Sequence, residues 1–405
     1  MILQLSLIEP QRDFEIVEKK CVGHPDTLAD GLAEYLSQQY ALYTKENFGV
    51  ILHHNFDKVG LLGGASYVKF GEGFLTSPIR VLLNGRASTK FADCNIPVNE
   101  LLTNWSREFL KEKLPLLDVE KDIVFLYNLS NQSSPGKTEE KQRVAGTRKF
   151  WFEPRGIFDL QEQQKLFSND TSLGVGYYPY STLEKIVDAI AYKLTEDNFK
   201  YKNPWIGTDI KIMGYRNKDI VNITLCVPQI SRYVYSDIMY KNNLKLAHKI
   251  VESTIKEYGI SEFKIDINTR DDFDKSELYL TAIGSSIESG DEGLVGRGNR
   301  INGLIAPMRP MSMEGAAGKN PVYHIGKVYH VTANLMSKKI FDELGIPNEV
   351  FLVSQSGRDL FDPWIVHVNV TKDVNENKIR KIVEDSLKEI PNITEGILNN
   401  LYTIY

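Results

Sequence analysis

Eleven consecutive residues, Gly290-Asp291-Glu292-Gly293-Leu294-Val295-Gly296-Arg297-Gly298-Asn299-Arg300, hold four glycines, two acids and two arginines. Glycine lets backbone N–H groups approach a ligand closely and adopt dihedrals that other residues avoid. Arginine adds a planar, permanently charged fork that matches phosphate oxygens. A loop of this composition suits a polyanion. A second loop, Gly315-Ala316-Ala317-Gly318-Lys319-Asn320-Pro321, places an ammonium among glycines, and a His-Pro-Asp turn stands far upstream at Gly23-His24-Pro25-Asp26. Together the three point to an enzyme that handles phosphates.

Each motif has its own chemistry. The Gly318-Lys319 loop is not a Walker nucleotide site: Asn320 stands where Ser or Thr is required, and Met313 where the first glycine should be. Lys319 can still act as a point charge on a phosphate. His24 and Asp26 flank Pro25 just before a predicted helix, with Asp26 the expected N-cap. A helix N-terminus attracts phosphate, and an aspartate there can bind magnesium. In Asp209-Ile210-Lys211-Ile212-Met213 the alternation puts Asp209 and Lys211 on one face of a strand. The polar run Asn169-Asp170-Thr171-Ser172 enters a glycine turn at Gly174-Val175-Gly176. His53 and His54 are adjacent on a strand and face opposite ways, so they do not share a metal.

Elements must bring these segments together. Hydrophobic periodicity predicts helices over 28–46, 98–113, 182–200, 235–258, 325–344 and 376–388. It predicts strands over 50–55, 79–84, 122–127, 209–213, 220–227, 263–268, 278–283, 350–354 and 365–371. The expected fold class is α+β, with three similar units in a pseudo-threefold arrangement, each a mixed sheet covered by helices. The first unit spans 1–130 and carries the His-Pro-Asp motif; 131–168 is a long loop with a charged run and an aromatic patch at Phe150, Trp151 and Phe152. The second unit spans 169–285 and the third 286–405.

Composition fits that picture. A chain of 405 residues is too long for one ordinary core. An apolar fraction of 42% and a charged fraction of 25% are those of a soluble globular protein. The net charge of −5 gives no overall attraction to nucleic acid, so a polyanion site must be a local positive patch. Cys21, Cys94 and Cys226 form no CxxC pair and are expected to be reduced, mostly buried thiols. Neither a signal-peptide pattern nor a membrane-length apolar stretch is visible, and a cytoplasmic location is expected.

In this order, the motifs resemble the S-adenosylmethionine synthetase (methionine adenosyltransferase) family in its archaeal-type branch. The likeness rests on Gly23-His24-Pro25-Asp26-Thr27-Leu28-Ala29-Asp30-Gly31, His53-His54-Asn55 with Asp57, Asn169-Asp170-Thr171-Ser172, and Asp209 to Gly214. Its longest stretch runs from Gly290 through Gly296-Arg297-Gly298-Asn299-Arg300 and Met311-Ser312-Met313-Glu314 to Pro321. The resemblance implies that ATP and L-methionine are joined by attack of sulfur on the ribose C5′. The triphosphate is expelled and then hydrolysed to pyrophosphate and phosphate. It implies magnesium, with potassium often helping, and a homodimer with active sites between subunits. By motif, His24 would hydrogen-bond the departing oxygen, Asp26 would bind magnesium, and Lys211, Arg297 and Lys319 would hold triphosphate oxygens. Asp170 and Asp291 would position polar groups of methionine or adenosine, and Asp209 the ribose or adenosine side. Asn131-Gln132-Ser133-Ser134 matches a nucleotide-binding segment that reads Gly-Gln-Gly-Ser in the family, so both glycines are replaced. That departure leaves open an altered thioether substrate or mainly triphosphatase activity. A catalytically silent nucleotide-binding subunit is the further alternative.

Overall fold

The computed structural model describes residues 1–8, 13–132, 150–160 and 165–405. Helices and sheets are mixed, and three principal sheets organise the chain. The first runs Ile123–Ser130, Ile79–Ala87, Gly60–Leu62, Gly293–Leu294, with His54–Asn55 also paired to Ile79–Ala87. The second runs Phe263–Ile267, Ile220–Cys226, Lys211–Asn217, Phe14–Lys20. The third runs Ile2–Leu7, Ile365–Val370, Asn348–Val353, Leu173–Tyr178. Each sheet has one parallel pair at an edge and antiparallel pairs elsewhere.

A hydrophobic cluster lies under each sheet. The helix Pro25–Phe48 packs on the first sheet and against Val98–Lys113. Thr182–Thr195 and Asp237–Glu257 cover the second; Ile325–Leu344, backed by Glu376–Lys388 and Ile390–Leu398, covers the third. Periodicity foretells all of these helices except Ile390–Leu398; Val98–Lys113 and Glu376–Lys388 each bury one stripe, whereas Pro25–Phe48 and the first half of Ile325–Leu344 are buried nearly all round.

The sheets cross the divisions expected at 130, 168 and 285. Ile2–Leu7 pairs with Ile365–Val370, Phe14–Lys20 with Lys211–Asn217, and Gly293–Leu294 joins the first sheet. Period-two alternation tells which face a residue occupies but not which distant strand lies alongside. Several bounds also differ from the periodicity. The predicted helix over 182–200 breaks at Glu196, whose backbone is extended (φ −62°, ψ 144°). The strand expected over 209–213 begins only at Lys211, because residues 208–210 bond sideways: Gly23 N–H reaches Thr208 O and Cys21 N–H reaches Ile210 O. Of 278–283 only Leu280–Thr281 pairs, and of 50–55 only His54–Asn55. Cys94 is exposed, unlike the buried Cys21, since it lies on the short hairpin strand Cys94–Asn95 at the surface.

Candidate functional site

Strand pairing starts the site. Lys20 stands directly opposite Lys211 in the antiparallel pair. Glu18, two residues earlier, shares the face of Lys20. Its Oε1 lies 3.2 Å from Lys211 Nζ and 3.8 Å from Lys20 Nζ. The chain then turns through Gly23 into the helix Pro25–Phe48. Lys20 Nζ lies 2.9 Å from Asp26 Oδ2 and donates to Arg297 O at 2.8 Å. Asp26, only 6% exposed, also accepts the Leu294 N–H at Oδ1 (3.2 Å), with Arg297 Nε 3.8 Å from that oxygen. The Arg297 side chain is 69% exposed.

The cap of this helix is His24 rather than Asp26. His24 has an extended backbone (φ −65°, ψ 134°) and its ring Nδ1 accepts the Asp26 N–H at 3.2 Å. Proline occupies the first helical position, where no N–H is missed. Burial, reinforced by the Lys20 ammonium, holds the His24 imidazole down at about 4, so it is neutral near pH 7. With Nδ1 accepting, the ring proton sits on Nε2.

Asp209 reaches the same region from behind. It is 2% exposed where Lys211 is half-buried, and it precedes the paired strand, which begins at Lys211. Its Oδ2 accepts the Ser286 N–H (2.8 Å) and lies 2.5 Å from Ser286 Oγ. Ser286 Oγ is in turn 3.0 Å from Oδ2 of the exposed Asp291. One hydroxyl proton thus serves two carboxylates, and burial raises the Asp209 carboxyl to about 6.

A second cluster forms on another helix. Asn55 bridges to Lys319, and Phe56 N–H donates to Gly318 O at 2.7 Å. Lys319 is 3% exposed and its ammonium pairs with Glu314, whose Oε2 accepts from Ser172 Oγ at 3.3 Å. Both lie over the first turn of Ile325–Leu344: a β-carbon on Gly326 would sit 2.5 Å from Lys319 Nζ and 2.6 Å from Glu314 Oε1. His324 caps this helix through Nδ1, as His24 caps the other. Burial pushes the Lys319 ammonium down to about 8; Asp57 and Asp170 oppose the shift, while Lys58 and Lys327 add to it. Asp170 is exposed beside it, its Oδ1 accepting the Thr171 N–H at 2.7 Å.

His24, Asp26, Lys211, Arg297, Asp209 and Asp291 are therefore gathered in one place, and Lys319 and Asp170 in another. Among the described residues no direct hydrogen bond or ion pair joins a charged side chain of one cluster to one of the other. The loops that carry them meet where Gly315 approaches Gly296. Asn131 and Gln132 follow the strand Ile123–Ser130: Asn131 Nδ2 donates to Glu153 Oε1 (2.6 Å), and Gln132 N–H to Ser130 Oγ (3.2 Å). Ser133 and Ser134 lie outside the described residues.

Sequence reading missed Lys20, Glu18, Ser286 and Glu314. The Glu18-Lys19-Lys20 run just ahead of the His-Pro-Asp turn was a usable signal, but its strand was not predicted. Ser286 carries no pattern of its own, and Glu314 lies within the Met311-Ser312-Met313-Glu314 motif without a role assigned to it; contacts mark both.

Comparison with known proteins identifies the family. The family model described as S-adenosylmethionine synthetase (AdoMet synthetase) matches residues 3–401. A probable S-adenosylmethionine synthase of Aquifex aeolicus is 38% identical over 400 residues, covering 97% of this chain and 96% of that protein. The S-adenosylmethionine synthase of Methanocaldococcus jannaschii is 38% identical over 395 residues, covering 95% and 92%. Among solved structures, an S-adenosylmethionine synthetase of Campylobacter jejuni aligns with TM-score 0.60 over 94% of this chain and 89% of that one, at 13% identity, a likeness of fold.

Proposed function

The chain belongs to the S-adenosylmethionine synthetase family, and from that premise we propose that it is a methionine adenosyltransferase that joins ATP to L-methionine. The observation that carries this reading is the set of cations, Lys20, Lys211 and Arg297, drawn around a neutral histidine at the N-terminus of a long helix.

The sulfur of methionine attacks C5′ with a lone pair, the C5′–O bond breaks, and its electrons leave with the triphosphate. Sulfur becomes a sulfonium, and no proton is removed from it, so no general base is needed. Water then cleaves the triphosphate to pyrophosphate and phosphate. The protein aligns sulfur with carbon and receives negative charge on the leaving oxygen. His24 Nε2–H donates to that oxygen. Lys211 and Arg297 hold the triphosphate, and Lys319 completes the grip. Asp291, held by Ser286, and Asp170 orient polar groups of methionine or adenosine. Asp209, enclosed by Ser286, acts on the adenosine side through that segment, and Asn131 with Gln132 lies at the nucleotide edge.

Magnesium fits here as an ion carried in on the triphosphate. Asp26 Oδ1 is the oxygen not taken by Lys20, and among the described residues no group of three or more His, Cys, Asp or Glu side chains is placed to hold a metal alone. A single carboxylate plus phosphates is the ordinary magnesium environment. When bound, the ion draws charge from the leaving group. No residue is assigned to potassium.

We read the active unit as a homodimer. Two cationic clusters without direct contact in one chain support sites shared between copies. The outward face of Ile123–Ser130, with Val124 and Leu126 exposed, supports a surface that a second copy covers. The parallel edge pair in each sheet supports three related units. Among the described residues no helix is long and apolar enough to cross a membrane; we place the enzyme in the cytoplasm. Mass spectrometry of ATP, methionine and Mg²⁺ incubated with the protein should reveal the sulfonium product with pyrophosphate and phosphate. A purified, folded protein that yields none of them would overturn the reading.

A further inference from the structure

We propose that Asp30 and Glu34 are positioning residues that set the Arg297 and Lys319 loops against one helix; this rests on the reading above that those two cations hold the triphosphate. Asp26, Asp30 and Glu34 follow at intervals of four along Pro25–Phe48, so they share a face and climb it by about 6 Å a step. Each grips a loop backbone. Asp26 takes the Leu294 N–H. Asp30 Oδ1 accepts the Gly296 N–H at 2.7 Å, and Oδ2 accepts the Gly298 N–H at 3.0 Å, the two amides on either side of Arg297. Glu34 Oε2 accepts the Gly318 N–H at 3.0 Å, immediately before Lys319.

All of this is dry. Asp30, Glu34 and Lys327 are buried, and Lys327 Nζ sits 2.6 Å from Glu34 Oε2 and 2.9 Å from Oε1. Buried ionisable groups weaken a fold compared with well-packed apolar ones, so stability alone does not explain three acids on one buried face. Their directed use does. Among the described residues the Arg297 guanidinium makes one long 3.8 Å contact, with Asp26, and its side chain is otherwise exposed, so its place is set by its backbone. Asp30 holds that backbone at both neighbours. A side chain at 298 would collide with Asp30 Oδ2, which explains the glycine there. Glu34 does the same for Lys319 while Lys327 balances its charge.

The test separates geometry from folding and from the functional reading. Asp30→Asn keeps the shape but turns an amide toward one of the two loop N–H groups. Amide hydrogen exchange at Gly296 and Gly298 should quicken at least tenfold, with Gly318 unchanged. Binding of inorganic tripolyphosphate and kcat should each fall at least tenfold, with the KM for methionine within about twofold. For Glu34, Lys327 is replaced at the same time so that no buried charge is stranded. Glu34→Gln with Lys327→Met retains an acceptor and should keep kcat within about threefold; Glu34→Leu with Lys327→Met removes it and should lose at least tenfold, with faster exchange at Gly318. Folded variants with wild-type exchange at these glycines, or two Glu34 pairs that lose activity equally, would overturn the proposal. If the wild type neither binds tripolyphosphate nor forms product, the triphosphate reading falls, and the exchange pattern still judges the positioning on its own.

Discussion

Lys20 Nζ lies 2.9 Å from Asp26 Oδ2, with both side chains nearly buried. The carboxylate expected to meet magnesium is thus already half neutralised by an ammonium from the neighbouring strand. Replacing Lys20 by Met strands that carboxylate. Breaking a buried pair from one side costs about 3–5 kcal/mol, so denaturant unfolding should register a loss of that order. Because Asp26 is then free to take a cation, Mg²⁺ added with inorganic tripolyphosphate should raise the Tm of Lys20→Met more than that of the wild type. An equal response to Mg²⁺ would remove Asp26 from the metal role.

Arg297 offers the opposite case. Its side chain is 69% exposed, so Arg297→Ala should leave stability within about 0.5 kcal/mol. Turnover should fall at least about tenfold, equivalent to roughly 1.4 kcal/mol of barrier. Unchanged kcat and kcat/KM for ATP would exclude it from the triphosphate grip.

The pH dependence follows from Lys319. Its ammonium is held at about 8 by burial, so it is lost as pH rises through that value, well before an ordinary lysine titrates at 10.5. The neutral amine holds phosphate less well. The kcat/KM for ATP, which reports the free enzyme, should therefore decline above about pH 8, and that limb should vanish in Lys319→Met. A flat profile to pH 9.5 in the wild type would contradict the assignment.

Shared sites can be tested by mixing defects. His24→Asn keeps a good helix cap but loses the ring donor; Lys319→Met loses the second cluster's cation. If each active site joins the first cluster of one copy to the second cluster of the other, co-expressing the two inactive chains yields hybrids with one intact site. Activity should then reappear well above either variant alone. Hybrids isolated by dual tags that remain silent would place both clusters in the same chain's site.

Much of this was legible in the residues. The helices over 98–113, 325–344 and 376–388 coincide with the observed Val98–Lys113, Ile325–Leu344 and Glu376–Lys388, because a 3.6-residue apolar stripe specifies its element locally. The Gly290–Arg300 and Gly315–Pro321 loops and the His-Pro-Asp turn announced themselves through residue types that phosphate chemistry needs.

Tertiary structure decided what those residues touch. Nothing in Phe14–Lys20 says that its partner is Lys211–Asn217, yet that pairing delivers Lys20 and Glu18 to the site. Asp209 is buried under Ser286, its own N–H bonded to Gly284 O while the preceding Thr208 O accepts the Gly23 N–H. Nothing in the sequence marks Asp30 and Glu34 as holders of distant loops; the contacts with 296–298 and 318 do. Periodicity is a property of one segment. Partner choice, burial and charge compensation are properties of segments hundreds of residues apart, and only folding brings those together.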